Sequence, residues 1–242
     1  MQQIEYKESP SPHVVITNFM STTAARECLE EAQWLEPVYE PATVSGTSHL
    51  EDGDECDECV AFDGILRSNV RKNDIVFLDN HYKNKRHKSV ILGHLNRTLN
   101  DEAFMHVFKT FPHMFPIVAQ TTHMETVLSS YGMCDFYGFH KDTNANLTAR
   151  RVITCVIHWN TEPQQYQGGE LILTGDTIED QLVYKPVHNT AIFFQSNKCV
   201  HAVNEIQHEG VFKDNRFSVN LWFGFEQADN ISGDLGSSYK YR

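Results

Sequence analysis

From about Thr121 to Phe225 the chain runs in short stretches of alternating apolar and polar residues, separated by turn residues. That spacing belongs to β-strands. The predicted strands are 124–131, 136–142, 151–159, 169–174, 182–186, 190–195, 200–206 and 216–224. Eight such runs predict a barrel or jelly roll, here a double-stranded β-helix whose two facing sheets open at one end to hold a ligand. The strand Arg216 to Gly224 alternates strictly: Phe217, Val219, Leu221 and Phe223 form a packing face, and Arg216, Ser218, Asn220 and Trp222 face the cavity.

The first 120 residues follow a different pattern. HVVITNF (13–19) predicts a strand, after which Ser21 caps a helix with Ala25, Cys28, Leu29 and Ala32 on its apolar face. VRKNDIVFL (70–78) predicts a second strand. Ser89 caps the next helix, with Ile91, Leu95 and Leu99 aligned, and helical pattern continues through Phe104, Val107, Phe108 and Phe111 until Pro112 stops it. The expected organisation is α+β, mainly β. Residues 1–120 give an N-terminal strand, helices and a lid loop supporting the core, 121–225 the catalytic core, and 226–242 a polar tail, one catalytic domain in all.

Composition narrows the function classes. A net charge of −12 argues against nucleic acid as a partner. No apolar run is long enough to span a bilayer, and the start has no signal-peptide core. Six scattered cysteines point to a reducing cytoplasm rather than a disulfide scaffold. Cys56-x-x-Cys59, in the long loop from Pro37 to about Asp63 that carries the acidic run Glu51 to Glu58, is an incomplete zinc set, and coincidence is the preferred account. The basic patch Lys83 to Lys88 is expected to be a solvated loop. Oligomeric state is open.

The chemistry concentrates between Tyr131 and Trp222. His140-x-Asp142 places an imidazole and a carboxylate on one face of a strand. His201, on a strand well beyond them, would complete a two-histidine, one-carboxylate metal site with open positions. Arg216, facing inward with no acidic residue on its strand face, calls for a bound carboxylate as partner.

From Tyr131 to Phe223 the chain resembles the 2-oxoglutarate- and Fe(II)-dependent oxygenases of the prolyl hydroxylase type. The matching pieces come in order: Tyr131 nine residues before His140, Arg151-Val-Ile-Thr154 leading to His158-Trp-Asn160, Gly168-Gly169-Glu170-Leu171, and Lys185-Pro186 before Ala191-Ile-Phe-Phe. His201-x-Val203 and Arg216-x-Ser218 with Trp222 complete them. The resemblance implies Fe(II) held by His140, Asp142 and His201, with O2 and 2-oxoglutarate as co-substrates. Arg216 and Ser218 would take the distal carboxylate, Tyr131 would reach the co-substrate near the metal, and Gly168-Gly169 would form a tight turn. Two departures stand out. His158 occupies the place of the family's usual tyrosine, so it either bonds the distal carboxylate or sits nearer the substrate. Val211 to Asn215 lengthens the gap from His201 to Arg216.

The implied reaction hydroxylates an unactivated C–H of an amino-acid-like substrate, free or as a residue (prolyl or other) of a peptide or protein, releasing succinate and CO2. Asp142 is the carboxylate that halogenases of this scaffold lack. Substrate residues expected from the lid segment are Arg71, Asp74, Asp79 and Tyr82, with Trp222. The alternative is a non-catalytic cupin-like domain that senses a metal and an anion. Nucleic-acid base demethylation is disfavoured by net charge and by the lack of a second arginine after Arg216 in its strand.

Overall fold

The computed structural model describes residues 2–43, 69–111, 114–143, 150–175, 179–225 and 239–240. The first half contains β1 (Gln3–Lys7), β2 (His13–Thr17), α1 (Thr22–Trp34), β3 (Glu40–Pro41), β4 (Arg71–Lys72), β5 (Asp74–Phe77), α2 (Leu78–His81), α3 (Val90–Leu99), α4 (Glu102–Lys109) and α5 (Phe115–Gln120). The second contains β6 (His123–Tyr131), β7 (Phe136–His140), β8 (Arg151–Trp159), β9 (Gln167–Gly168), β10 (Leu171–Thr174), β11 (Gln181–Tyr184), β12 (Thr190–Gln195), β13 (Val200–Val203), β14 (Ile206–Gln207), β15 (Arg216–Gly224) and β16 (Tyr239–Lys240).

The architecture is mainly β. A large sheet has the order β1-β2-β12-β8-β15-β6-β5-β3, with β16 also paired to β6, and a smaller one has the order β11-β10-β13-β7-β4. Consecutive strands alternate between them: β6 and β8 lie in the large sheet, β7 between them in the small one. The strand alternation read from the sequence explains the layering. Outward-facing Ile153, Cys155, Ile157 and Trp159 of β8, Phe193 of β12, and Phe217, Val219, Leu221 and Phe223 of β15 form one core with α1, α3 and α4. The opposite faces, through Val156, Ile192 and Phe194, pack against Leu171, Leu173 and Val203 of the small sheet. Helices, large sheet and small sheet are therefore three successive layers around two apolar interfaces.

The helix ends follow local chemistry. Ser21 accepts from Ala24 N at 3.2 Å and Ser89 from Leu92 N at 3.1 Å, each satisfying a donor that the first turn leaves free. Glu31 of α1, itself buried, accepts from Ile91 N at 2.6 Å and so ties α1 to the start of α3.

One expectation needs correction. The run 70–78 is not one strand: it breaks at Asn73, with β4 joining the small sheet and β5 the large one. Asn73 is buried and makes the transfer, accepting from Arg71 Nε at 2.6 Å, donating to Asp74 O at 3.0 Å, and offering its own carbonyl to Ala42 N. Residues 1–120, expected as support for the core, also supply strands to both sheets. Cys56-x-x-Cys59, the surrounding acidic run and Pro112 lie outside the described residues, as does the tail apart from β16. The Lys83 to Lys88 patch is largely exposed, although Arg86 turns inward to pair with Asp79.

Candidate metal centre and co-substrate pocket

His140 ends β7, and His201 sits directly across from it on β13. The two strands are hydrogen-bonded neighbours in the small sheet. Asp142, expected on the same strand as His140, lies instead in the bend just after it. The three ligand atoms lie within 4.8 Å of one another. His140 Nε2 is 3.6 Å from Asp142 Oδ1, and His201 Nε2 is 3.4 Å from Oδ2. Each Nδ1 faces a backbone carbonyl two residues earlier, Gly138 O at 2.8 Å and Cys199 O at 3.4 Å. Such a contact fixes the proton on Nδ1 and leaves the Nε2 lone pair free toward Asp142.

The protonation states suit a cation. Burial, and then the neighbouring His140, push the His201 imidazolium down to about 4 against the opposing pull of Asp142. Burial alone would raise the Asp142 carboxyl, but His201, His140 and Arg151 outweigh it and hold it well below the usual carboxylate range. Two imidazoles and a carboxylate are the donor set of a facial iron triad, so the residues fit Fe(II).

The residues expected to hold the co-substrate come from the large sheet. Arg216 on β15 is 1 % exposed. Its Nε donates to Gly169 O at 2.8 Å, Nη1 to Ser218 Oγ at 3.2 Å and Nη2 to His158 Nδ1 at 3.3 Å, and its head lies 4.8 Å from the Tyr131 ring centre. Among the described residues no carboxylate reaches it within ion-pair distance. The register lines these groups up, because Arg216 pairs with Tyr131, and Ser218 with His158 and Ser129. Gly169 has φ +71°, and a Cβ there would meet Arg216 Cδ at 2.6 Å, so only glycine lets the arginine lie against this turn.

His158 is fully buried, and burial together with the Arg216 charge holds its pKa well below the usual value. Its Nδ1 accepts from Arg216, so its proton sits on Nε2, which has no partner among the described residues. The buried Tyr166 hydroxyl is also unpartnered among them. A buried guanidinium without a counter-ion, next to an unmet donor, fits an anionic carboxylate. The His158 position thus faces the pocket through Arg216.

Several residues of the site escaped the sequence reading. Tyr137 stacks on His140 at 3.5 Å between ring centres, and Arg71 lies over Tyr137 at 4.4 Å. Strict alternation would put Tyr137 and His140 on opposite faces. A bulge opposite Ala202 shifts the β7 register and brings them together. Thr154 and Ser196 bond toward Asp142, and Arg151 forks onto Glu125 at 3.0 and 2.6 Å while lying 3.7 Å from the Trp222 ring centre.

The expected substrate residues fall in different places. Arg71 reaches the triad through Tyr137. Trp222 packs with Ala42, Ile75 and Val127 beneath Arg151. Asp74 is half-buried, with its carboxyl raised by burial and by nearby Asp135. Asp79 and Tyr82 are engaged in the fold itself: Asp79 pairs with Arg86 and accepts from Thr126 N at 2.6 Å, and Tyr82 is buried among the helices. Their position in the chain gave no sign of these partners.

Comparison with known proteins agrees with this geometry. Residues 126–224 match the model of the 2OG-Fe(II) oxygenase superfamily. This segment is similar to 2OG-Fe(II) oxygenase domains. The family's cofactors are Fe(II), 2-oxoglutarate and O2, and the domain holds a His-Asp-His set suited to them. Over 112 residues the chain is 30 % identical to an uncharacterised PKHD-type hydroxylase of Synechocystis, an overlap of 43 % of this chain and 37 % of that protein. The chain therefore spans well under half of that relative's length. The oxygenase fold extends beyond the matched segment. A prolyl hydroxylase from Trichoplax adhaerens, solved with a hypoxia inducible factor peptide fragment, superposes with a TM-score of 0.61 at 14 % identity, covering 88 % of this chain and 83 % of that one. A prolyl-4-hydroxylase from Pseudomonas putida gives 0.55 at 16 % identity, covering 88 % and 92 %. At such identities these structures speak for the fold alone.

Proposed function

We propose that the chain is a 2-oxoglutarate- and Fe(II)-dependent dioxygenase that hydroxylates an unactivated C–H of an amino-acid-like substrate, releasing succinate and CO2. The observation that carries this reading is the Arg216 guanidinium, buried without a counter-ion among the described residues, in the sheet that faces the His140, Asp142 and His201 cluster. Strand order supports the double-stranded β-helix: β6, β15, β8 and β12 run together in one sheet, and β7, β13, β10 and β11 in the other. Iron, when bound, would supply the activation of O2. The protein's part is to hold the co-substrate's far carboxylate on Arg216 and Ser218, to donate to it from His158, and to keep Tyr131 beside it.

The substrate is a free small molecule or a residue, prolyl or other, of a peptide or protein. Arg71 supports a carbonyl- or carboxylate-bearing substrate. Among the described residues its one side-chain hydrogen bond is from Nε to Asn73, and its stack on Tyr137 sets the guanidinium beside His140. No described helix is long and apolar enough to cross a membrane. The four described cysteines are free, which supports a reducing, cytoplasmic setting. The net charge of −12 supports a partner other than nucleic acid.

Release of labelled CO2 from carboxyl-labelled 2-oxoglutarate tests the reading. The full chain with Fe(II) should release it and form succinate, and Asp142→Ala should not. No release from the wild type, or equal release from the variant, would refute the assignment and favour the non-catalytic sensor.

A further inference from the structure

Asp142 has the weakest backbone support of the three ligands, because it lies beyond the last residue of β7. Its carboxylate is nevertheless tied to the opposite sheet. Thr154 Oγ1, from β8, lies 2.7 Å from Asp142 Oδ2 and 2.8 Å from Ser196 Oγ, just past β12. Both hydroxyl residues are buried, at 1 % and 0 % exposed. The Asp142 carbonyl is held too, by Arg151 Nη1 at 3.4 Å.

Proton accounting gives these contacts a direction. An ionised carboxylate only accepts, so the Thr154 proton points to Asp142. The proton between the two hydroxyls must then belong to Ser196, and the chain runs Ser196 to Thr154 to Asp142. Both carboxylate oxygens lie close to histidine nitrogens, Oδ1 to His140 and Oδ2 to His201. Without the hydroxyl, either or both could meet a bound ion.

We propose that Thr154 is a positioning residue that restricts Asp142 to one-oxygen binding. With Oδ2 held by the Thr154 hydroxyl, Oδ1 is left to the ion. The position that a second carboxylate oxygen would occupy stays open for co-substrate or O2. This rests on the oxygenase reading above. A threonine at this place could equally be a β-former filling space, and the hydroxyl separates the two roles. Thr154→Val keeps the shape and removes the donor, and Thr154→Ser keeps the donor and reduces the volume.

Mn(II) is the probe, and the readout is water-proton relaxivity of the Mn(II)-loaded full chain, which reports how many waters the ion keeps. A facial triad leaves three positions, so two-oxygen binding by Asp142 should lower the relaxivity by about a third. Thr154→Val is expected to show that drop, and on saturation with 2-oxoglutarate to lose nearly all of the enhancement. The wild type and Thr154→Ser should retain about a third of theirs. Ser196→Ala, which leaves Thr154 in place but unoriented, should shift in the same direction by less. It serves as the deciding variant if Thr154→Val does not fold. Wild-type relaxivity in Thr154→Val, or in Ser196→Ala where it must decide, would overturn the proposal. So would a Thr154→Ser variant as defective as Thr154→Val. Failure of the wild-type chain to bind Mn(II) at all would instead overturn the oxygenase reading, and that is seen before any variant is compared.

Discussion

The two sheets divide the site between them in unequal ways. The large sheet carries the proposed co-substrate anchors on strands buried nearly throughout: all but one position of β15 and the last seven of β8 are buried. The small sheet carries the proposed metal-ligating histidines on β7, which is exposed or half-exposed along its whole length, and on the short β13. Anchors for a charged molecule thus sit where packing on both faces fixes them. His140 ends its strand and Asp142 lies in the bend after it, while His201 lies within β13; Asp142 is held by Thr154 and His201 by Phe194 of the opposite sheet. A rigid platform tolerates an arginine with no counter-ion among the described residues; the less buried β7 gives reactants access to the cluster.

Removing a metal ligand should have the largest effect. Asp142→Ala should weaken Mn(II) binding, followed by titration, by more than the 10–100-fold typical of supporting residues, and abolish turnover. Next comes the outer face of the large sheet. Phe193 is 1 % exposed among Phe19, Phe104 and Phe108, so Phe193→Ala should cost about 3–5 kcal/mol in urea unfolding, with Mn(II) affinity of the folded fraction unchanged. A parallel loss of metal affinity would show that the two sheets are not separable in this way.

Arg216→Met sharpens the comparison from the inner face. It should weaken 2-oxoglutarate binding to the Mn(II)-loaded protein by about 2–5 kcal/mol, the usual cost of truncating one side of a buried charged contact. The thermal midpoint of the ligand-free protein should hold or rise, because an unpaired buried guanidinium is removed. A lower midpoint would mean that the arginine serves the fold rather than the ligand.

The smallest effect is a pH dependence. His13, His158 and His201 all have folded-state pKa values lowered from 6.5, each chiefly by burial. Between the unfolded and folded values the unfolded chain binds more protons, so stability rises with pH there. The metal-free protein should therefore lose stability as pH falls from about 6.5 toward 4. His158→Asn should flatten part of that slope, as read from thermal midpoints across the range.

Much of this was legible in the sequence because it is local. Strict alternation marked β15 and its two faces, and Ser21 and Ser89 announced their helices. The triad was legible as residue types, but not as geometry. Adjacency of β7 and β13 is a long-range pairing, and the bulge that brings Tyr137 onto His140 defeats the period of two on which strand reading depends. The break at Asn73 was hidden for a similar reason, since one apolar run serves two sheets. Thr154 entered only as the end of the Arg151-Val-Ile-Thr154 piece, with no role of its own, because a threonine in a strand is an ordinary β-former and its value comes from standing opposite Asp142. Asp79 misled because its partners, Arg86 and the Thr126 amide, are chosen by folding.

Anomalous diffraction from crystals of the full chain grown with Mn(II) and 2-oxoglutarate bears most directly on the central claim. One metal peak should lie at about 2.0–2.2 Å from His140 Nε2, an Asp142 oxygen and His201 Nε2, with the far carboxylate of the acid paired to Arg216. A peak elsewhere, or an Arg216 still bonded only to Gly169, Ser218 and His158, would contradict it.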